Sequence, residues 1–240
     1  WIDPAAAGEL VPWLDVSSVR KIGYLRTDGY VDPYLLSMAY ARAAAALGVE
    51  IRERSAVTGV LTAGGRVAGV ETAAGRIESE SVIDAAGAWA SLLSARVGFP
   101  LPMAPVRSHY WITKPDSANG GDHPAVTMPD AGAYARYDVG AVLLGIHERH
   151  SATFDARELP DDPAAFSPTV GEAHWDRLAE AAEAVVRFFP GIAEVQFANY
   201  IAGLSTYTPD GNIILGPVPG VSGFLAATGC CGSGVVLSAG

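Results

Sequence analysis

Apolar and polar positions change their spacing along the chain, and each change marks an element. Asp32-Pro33 offers a side-chain cap and a first-turn proline, and Tyr34 to Leu47 is rich in helix formers until Gly48, which predicts a helix. Val49 to Glu53 and Ala56 to Leu61 alternate as strands. Gly64-Gly65 turns the chain into Arg66 to Thr72, and Ala74-Gly75 turns it again into Arg76 to Ile83, predicting a β-meander hanging from a βα unit. Ser81 to Ala86 is an apolar strand ended by Gly87, followed by helical spacing over Trp89 to Val97. Proline punctuates Pro100 to Pro105, after which Val106 to Thr113, Ala133 to Tyr137 and Ala141 to His147 read as strands. Asp155 to Pro168 is polar and proline-rich, a loop. Gly171 to Phe188 is an amphipathic helix that sets Leu178, Ala182, Val185, Val186 and Phe189 on one side. Strands over Glu194 to Leu204 and Asn212 to Leu215 follow Pro190-Gly191. The apolar run Gly223 to Thr228 then ends in Gly229, Gly232 and Gly234 before Val235, reading as strand, bare-backbone loop and helix start. The layout is a strand-rich module, roughly 101 to 200, inserted between two parts of an α/β module.

Composition narrows the chemistry. At 240 residues and 50% hydrophobic, the chain is long and apolar enough to bury a core. A net charge of -10, with Lys21 and Lys114 as the only lysines, excludes the basic face that nucleic acid needs, so small molecules are the expected partners. No apolar run approaches a membrane span, since Arg42 breaks the alanine-rich stretch from Met38 to Leu47, and no basic start with an apolar core marks a signal peptide. The two cysteines, Cys230 and Cys231, are too few for a disulfide framework or a structural zinc site, and their adjacency is not a C-x-x-C redox motif. No metal is expected, and free thiols point to a reducing cytoplasm. The start at Trp1, the first methionine at Met38 and the stop at Gly240 lead to the expectation that this is a piece of a longer protein.

Four separated segments then stand in a telling order: Asp28-Gly-Tyr-Val-Asp-Pro33, Val82-Ile-Asp-Ala-Ala-Gly-Ala-Trp-Ala90, Pro105-Val-Arg-Ser-His-Tyr110, and Thr208-Pro-Asp-Gly-Asn-Ile-Ile-Leu-Gly-Pro217 running on to Gly229 through Val235. Together they resemble the glycine oxidase, sarcosine oxidase and dimethylglycine dehydrogenase group of FAD-dependent amine oxidoreductases. The resemblance implies an α/β (α+β) chain: an incomplete, Rossmann-like FAD-binding module over 1–100 and 201–240, with a substrate-binding module of mixed or antiparallel sheet over 101–200. It implies that Ala86 and Gly87 bring bare backbone beside the cofactor with Trp89 packed beneath, and that Val57 faces the adenine. It places Gly203 and the turn at Asp210-Gly211 by the flavin. It also implies that Gly229, Cys230, Gly232, Ser233, Gly234 and Val235 hold the pyrimidine edge of the ring through backbone N–H groups.

Departures from the pattern matter as much. Gly203 stands where monomeric sarcosine oxidase attaches flavin through a cysteine, so no covalent link of that kind is expected. Ser205 and Val236 replace an arginine and a lysine that hold substrate in relatives, and Cys230 stands where relatives often have histidine. The G-x-G-x-x-G turn that binds pyrophosphate has no counterpart, so a missing N-terminal segment or a complementing chain is implied.

For substrate, the resemblance puts His109 and Tyr110 on the lining strand, with strand packing as the alternative. Tyr134 and Arg136, two apart on a strand, share a face, and the arginine is suited to a carboxylate; a surface ion pair is the alternative. Tyr207 is either a site residue beside the flavin-side turn or a core aromatic. His147, Glu148 and His150 read as a solvated loop. The implied reaction is hydride transfer to flavin from the carbon beside a primary or secondary amine, of amino acid or N-methyl amino acid type, with no catalytic base assigned. A binding module without catalysis, and a half completed by another chain, stay open beside it.

Overall fold

The computed structural model describes residues 1–115, 123–162, 164, 166–169 and 175–238. In chain order the helices are α1 (Pro4–Leu10), α2 (Pro33–Ala46), α3 (Ala90–Ala95), α4 (Trp175–Val186) and α5 (Gly234–Leu237). The strands are β1 (Val57–Ala63), β2 (Arg66–Thr72), β3 (Gly75–Glu78), β4 (Val82–Asp84), β5 (Ala104–Thr113), β6 (Val126–Met128), β7 (Ala133–Asp138), β8 (Ala141–Ile146), β9 (Phe197–Tyr207), β10 (Ile214–Pro217) and β11 (Phe224–Thr228). The chain forms a mixed α/β architecture of two compact units, one made of 1–30, 107–152 and 167–203, the other of 31–106, 153–166 and 204–240.

The first unit is built on a five-stranded sheet ordered β6-β7-β8-β5-β9, whose β6, β7, β8 and β5 pair antiparallel in turn. Side chains alternate between its faces. One face collects Ala133, Ala135, Val142, Leu144 and Ile146, and α4 covers it with Ala181 and Val185 beside Phe188 and Phe189. Residues 1–30 join this unit, not the segment that follows them as the sequence suggested. The Asp15 N–H donates to the Phe188 carbonyl at 2.8 Å, and the Trp13 and Phe189 rings lie 4.8 Å apart. Arg107 and Glu148 form a two-point ion pair with side chains 1% and 0% exposed, and Arg107 also donates to the Thr169 carbonyl at 3.3 Å. Glu148, expected in a solvated loop, is therefore a buried structural carboxylate.

The second unit holds two three-stranded sheets, β1-β2-β3 and β10-β11-β4, the latter with a parallel β11–β4 pair. Phe224, Ala226, Val67, Ala90, Leu101 and Val218 form its core. Asp32 caps α2 by accepting the Leu35 N–H at 2.9 Å, and Gly48 stops it at φ 89°. Trp89 anchors residues 153–166 by donating its indole N–H to the Pro160 carbonyl at 3.1 Å.

Several elements depart from expectation. Val49 to Glu53 is not a strand; Val49 and Ile51 are exposed, and among the described residues no neighbour supplies a ladder. Arg76 to Ile83 divides into β3 and β4, which belong to different sheets. The short α1 and β6 carried no periodic signal. Of the helix expected over Gly171 to Phe188, residues 171–174 and the side chain of Leu178 lie outside the described residues, as do 163 and 165 of the expected loop.

Gly223 sits at φ 84°, where a Cβ would collide with the Glu80 carbonyl, whereas Gly220 sits at φ 89° with no atom within 4 Å. Gly223→Ala is therefore expected to destabilise by about 2–4 kcal/mol, adding backbone displacement to the left-handed penalty, and Gly220→Ala by only about 1 kcal/mol. Urea unfolding of the two variants checks the difference.

Candidate functional site

Strand register decides which candidate side chains meet. In β7 and β8, Tyr134 lies opposite Gly145 and Arg136 opposite Leu143, and in β5 Tyr110 lies opposite the same Gly145. Tyr134, Arg136 and Tyr110 thus share the face turned away from α4. A Cβ on Gly145 would collide with Cε1 and Cζ of Tyr134, so this glycine is what lets the tyrosine ring lie across β8. His147 continues the same alternation and is exposed, its ring 5.9 Å from that of Tyr134. The sequence reading set His147 aside as part of a solvated loop; the signal it missed was the two-residue step from Gly145.

Arg136 is half-buried. Its Nη1 donates to the Tyr137 carbonyl at 3.0 Å and to Asp138 Oδ1 at 3.1 Å, and its guanidinium lies 4.8 Å from the centre of the Tyr30 ring. The ion pair offered as an alternative in the sequence thus exists, but it occupies only one nitrogen.

His109 is not part of this group. One residue before Tyr110, it points to the α4 side and is 5% exposed. Its Nδ1 lies 3.2 Å from the Tyr200 hydroxyl, and its ring lies 4.7 Å from Trp111. Burial pushes its imidazole below the ordinary histidine range. Of the two readings the sequence left open for His109, substrate lining and strand packing, its burial and its Tyr200 and Trp111 contacts match strand packing. Among the described residues no cluster of three or more His, Cys, Asp and Glu could hold a metal.

The second unit gathers the tight turns. Gly87 at φ 55° follows exposed Ala86, and Gly211 at φ 72° closes the turn of Thr208-Pro-Asp-Gly. Gly229, Cys231 and Gly232 all adopt positive φ. A Cβ on Gly229 would meet Thr208 Cγ2 at 2.8 Å, and one on Gly232 would meet the Tyr207 hydroxyl at 3.3 Å. Tyr207, read from the sequence as either a site residue or a core aromatic, thus has its hydroxyl beside the glycine loop. The Cys231 thiol lies 3.4 Å from Thr208 Oγ1 and accepts the Thr208 N–H at 3.5 Å, clasping this loop to the neighbouring turn. Asp210 braces its own turn through Oδ1. The Asn212 N–H and the Thr208 hydroxyl, both bonded to that oxygen, hold its carboxyl below the usual range.

These turns fit part of a flavin. The Cys231 and Ser233 amides donate within the chain, to the Thr206 and Cys230 carbonyls. Those of Gly232, Gly234 and Val235 have no acceptor among the described residues, so the loop carries donors suited to an electron-rich ring edge. A Cβ on Gly87 meets no atom within 4 Å, so its requirement is left-handed backbone and not crowding by the chain. Val57, 39% exposed, starts β1, whereas Gly203 falls in the other unit.

Asp84, in the same strand-to-turn segment as Gly87, is fully buried. Its Oδ1 accepts the Ala86 N–H at 3.1 Å, while Oδ2 has no partner among the described residues. Burial pushes its carboxyl above the usual range. The native state therefore binds its proton more tightly than the unfolded chain, and this residue's contribution to stability falls as pH rises from the ordinary aspartate range through the raised value. Asp84→Asn, which keeps the accepting oxygen, is expected to remove that slope and to raise the melting temperature at neutral pH by several degrees relative to wild type. Melting curves of both proteins between pH 3 and 8 check it.

Comparison with known proteins agrees with this assembly of turns and sheet. The chain is 28% identical over 247 residues to dimethylglycine dehydrogenase, mitochondrial, of Rattus norvegicus, covering all of the chain and 28% of that protein. It is 34% identical over 243 residues to hydrogen cyanide synthase subunit HcnC of Pseudomonas protegens, covering 53% of it. The chain thus spans about a quarter to a half of the length of these relatives. Among solved structures, L-proline dehydrogenase from P. horikoshii superposes with a TM-score of 0.81 at 27% identity, over 97% of this chain and 59% of that one. Glycine oxidase from Geobacillus kaustophilus shares the fold with a TM-score of 0.75 at 24% identity, over 99% of this chain and 59% of that one. Residues 1–240 match the family described as DAO: FAD dependent oxidoreductase, and the chain belongs to that family.

Proposed function

We propose that this chain takes part in FAD-dependent oxidation of a small amine that carries a carboxylate, such as an amino acid or N-methyl amino acid. The observation that carries the reading is the face on which the β7–β8 register assembles Tyr134, Arg136 and His147. The names of the relatives support the substrate class: dimethylglycine, proline and glycine each combine an amine nitrogen with one carboxylate.

In this reading the first unit binds substrate and the second holds flavin. Arg136 takes the carboxylate through Nε and Nη2, since Nη1 is occupied by Asp138 and the Tyr137 carbonyl. The Tyr134 ring and its hydroxyl orient the amine end, and His147, exposed beside it, is placed to accept a proton from an ammonium form of the substrate. Ala86, Gly87 and the Gly229 to Val235 loop lie against the cofactor by their backbone, with the Gly232, Gly234 and Val235 amides as donors. When bound, FAD supplies the two-electron acceptor for removal of hydride from the carbon beside nitrogen, and water hydrolyses the resulting imine. The pyrophosphate cradle, for which this sequence has no G-x-G-x-x-G, would come from outside these 240 residues.

Titration of the chain with FAD, followed by flavin fluorescence, tests the cofactor half. Saturable quenching is expected, and Gly87→Ala is expected to weaken it more than tenfold. Because a Cβ at Gly87 meets no protein atom, the melting temperature of that variant should fall only by the few degrees that a left-handed alanine costs. Equal affinity in the variant would remove the assignment of these turns to flavin, and no quenching in either protein would show that they hold no flavin without the pyrophosphate cradle.

A further inference from the structure

The guanidinium of Arg136 is held by groups from its own chain on two sides. Nη1 is bonded to Asp138 Oδ1 and to the Tyr137 carbonyl, and the Tyr30 ring lies across the guanidinium with its centre 4.8 Å from Cζ. Nε and Nη2 make no hydrogen bond among the described residues. These two nitrogens form the edge of an arginine that matches both oxygens of a carboxylate. Tyr30 is 43% exposed, so its ring does not fill a core; the described contact that fixes it is the one with Arg136.

We infer that Tyr30 is a positioning residue for the substrate carboxylate, pinning the plane of Arg136 so that the Nε and Nη2 edge is the one presented. The inference rests on the reading of Arg136 as the carboxylate holder. An arginine side chain has several freely rotating bonds, and a charge-assisted pair with Asp138 through one nitrogen leaves the plane free to turn about that contact. An aromatic face removes this freedom, because the cation is attracted to the ring quadrupole and lies against it. Asp138 adds selectivity. It cancels most of the arginine's charge, so the site offers two directed donors with little net positive field. That arrangement favours a single planar carboxylate and disfavours a dianion, which would meet the Asp138 carboxylate as a like charge.

The test is equilibrium titration of the full 240-residue chain with N-methylglycine and with N-methylglycine amide, for wild type and for Tyr30→Phe, Tyr30→Leu and Arg136→Gln. Wild type is expected to bind the acid more tightly than the amide, and Arg136→Gln to abolish the difference. Tyr30→Leu is expected to weaken binding of the acid about two- to fivefold without changing that of the amide, and Tyr30→Phe, which keeps the ring, to restore the wild-type preference. If Arg136→Gln loses the preference while Tyr30→Leu keeps it, the positioning role of Tyr30 is overturned and the carboxylate assignment stands. If wild type shows no preference, or Arg136→Gln keeps it, the carboxylate assignment falls and the role of Tyr30 with it. Melting temperatures of all four proteins separate a local effect from a loss of folding, since loss of acid and amide binding together with a lowered melting temperature in Tyr30→Leu would mark a merely structural residue and overturn the inference.

Discussion

The register between β7 and β8, with Ala133 opposite Ile146 and Asp138 opposite Ala141, is the constraint on which the face of the first unit depends. With a side-chain period of two, a slip by one residue would send Tyr134 and Arg136 under α4 and turn Ala133 and Ala135 outward. The apolar face opposes that slip, because Val142, Leu144 and Ile146 would lose their cover from Val185 and Phe189. Polar chemistry on one face is thus held in place by hydrophobic burial on the other. Gly145 completes the arrangement, since any side chain there would displace the Tyr134 ring.

Beside that face runs a second, costlier device. Arg107 and Glu148 bury opposite charges almost completely, and the loss of either partner from such a pair typically costs about 3–5 kcal/mol, because the other charge is left without compensation. Its value lies less in net stability than in placement. Glu148 follows His147 directly, and Arg107 precedes Tyr110 by three positions on β5, so the pair fixes the end of β8 against β5 where the exposed histidine emerges. His109, buried in the same neighbourhood with its imidazole pushed below the usual range by desolvation, belongs to this structural group and not to the open face.

In the second unit the organising device is backbone conformation. Left-handed residues at Gly87, Gly211, Gly229, Cys231 and Gly232 keep polypeptide close to the surface without projecting large side chains. Cys231 is the exception among glycines. Its thiol contacts with Thr208 offset the strain of a positive φ and tie two turns into one surface. The Cys231 thiol thus holds the loop to its neighbour, and the glycines around it shape the loop. The role of that loop toward flavin, like the division of labour between the two units, belongs to the proposed function.

Local chemistry alone made much of this legible. Asp32-Pro33 and Gly48 bounded α2, Gly64-Gly65 turned the meander, and the four separated segments pointed to the family, because caps, tight turns and bare backbone are short-range demands that a few neighbouring residues satisfy. Alternation also placed Tyr134 and Arg136 on one face. The sequence could not say what lay opposite them. That Gly145 makes room for Tyr134, that Tyr30 reaches Arg136 from more than 100 positions away, that His109 is buried while His147 is exposed, and that Arg107 finds Glu148 are all decided by strand order and register. Val49 to Glu53 shows the same limit from the other side: its pattern suits a strand, yet a strand exists only where a neighbour accepts its hydrogen bonds, and only the tertiary structure supplies or withholds that neighbour.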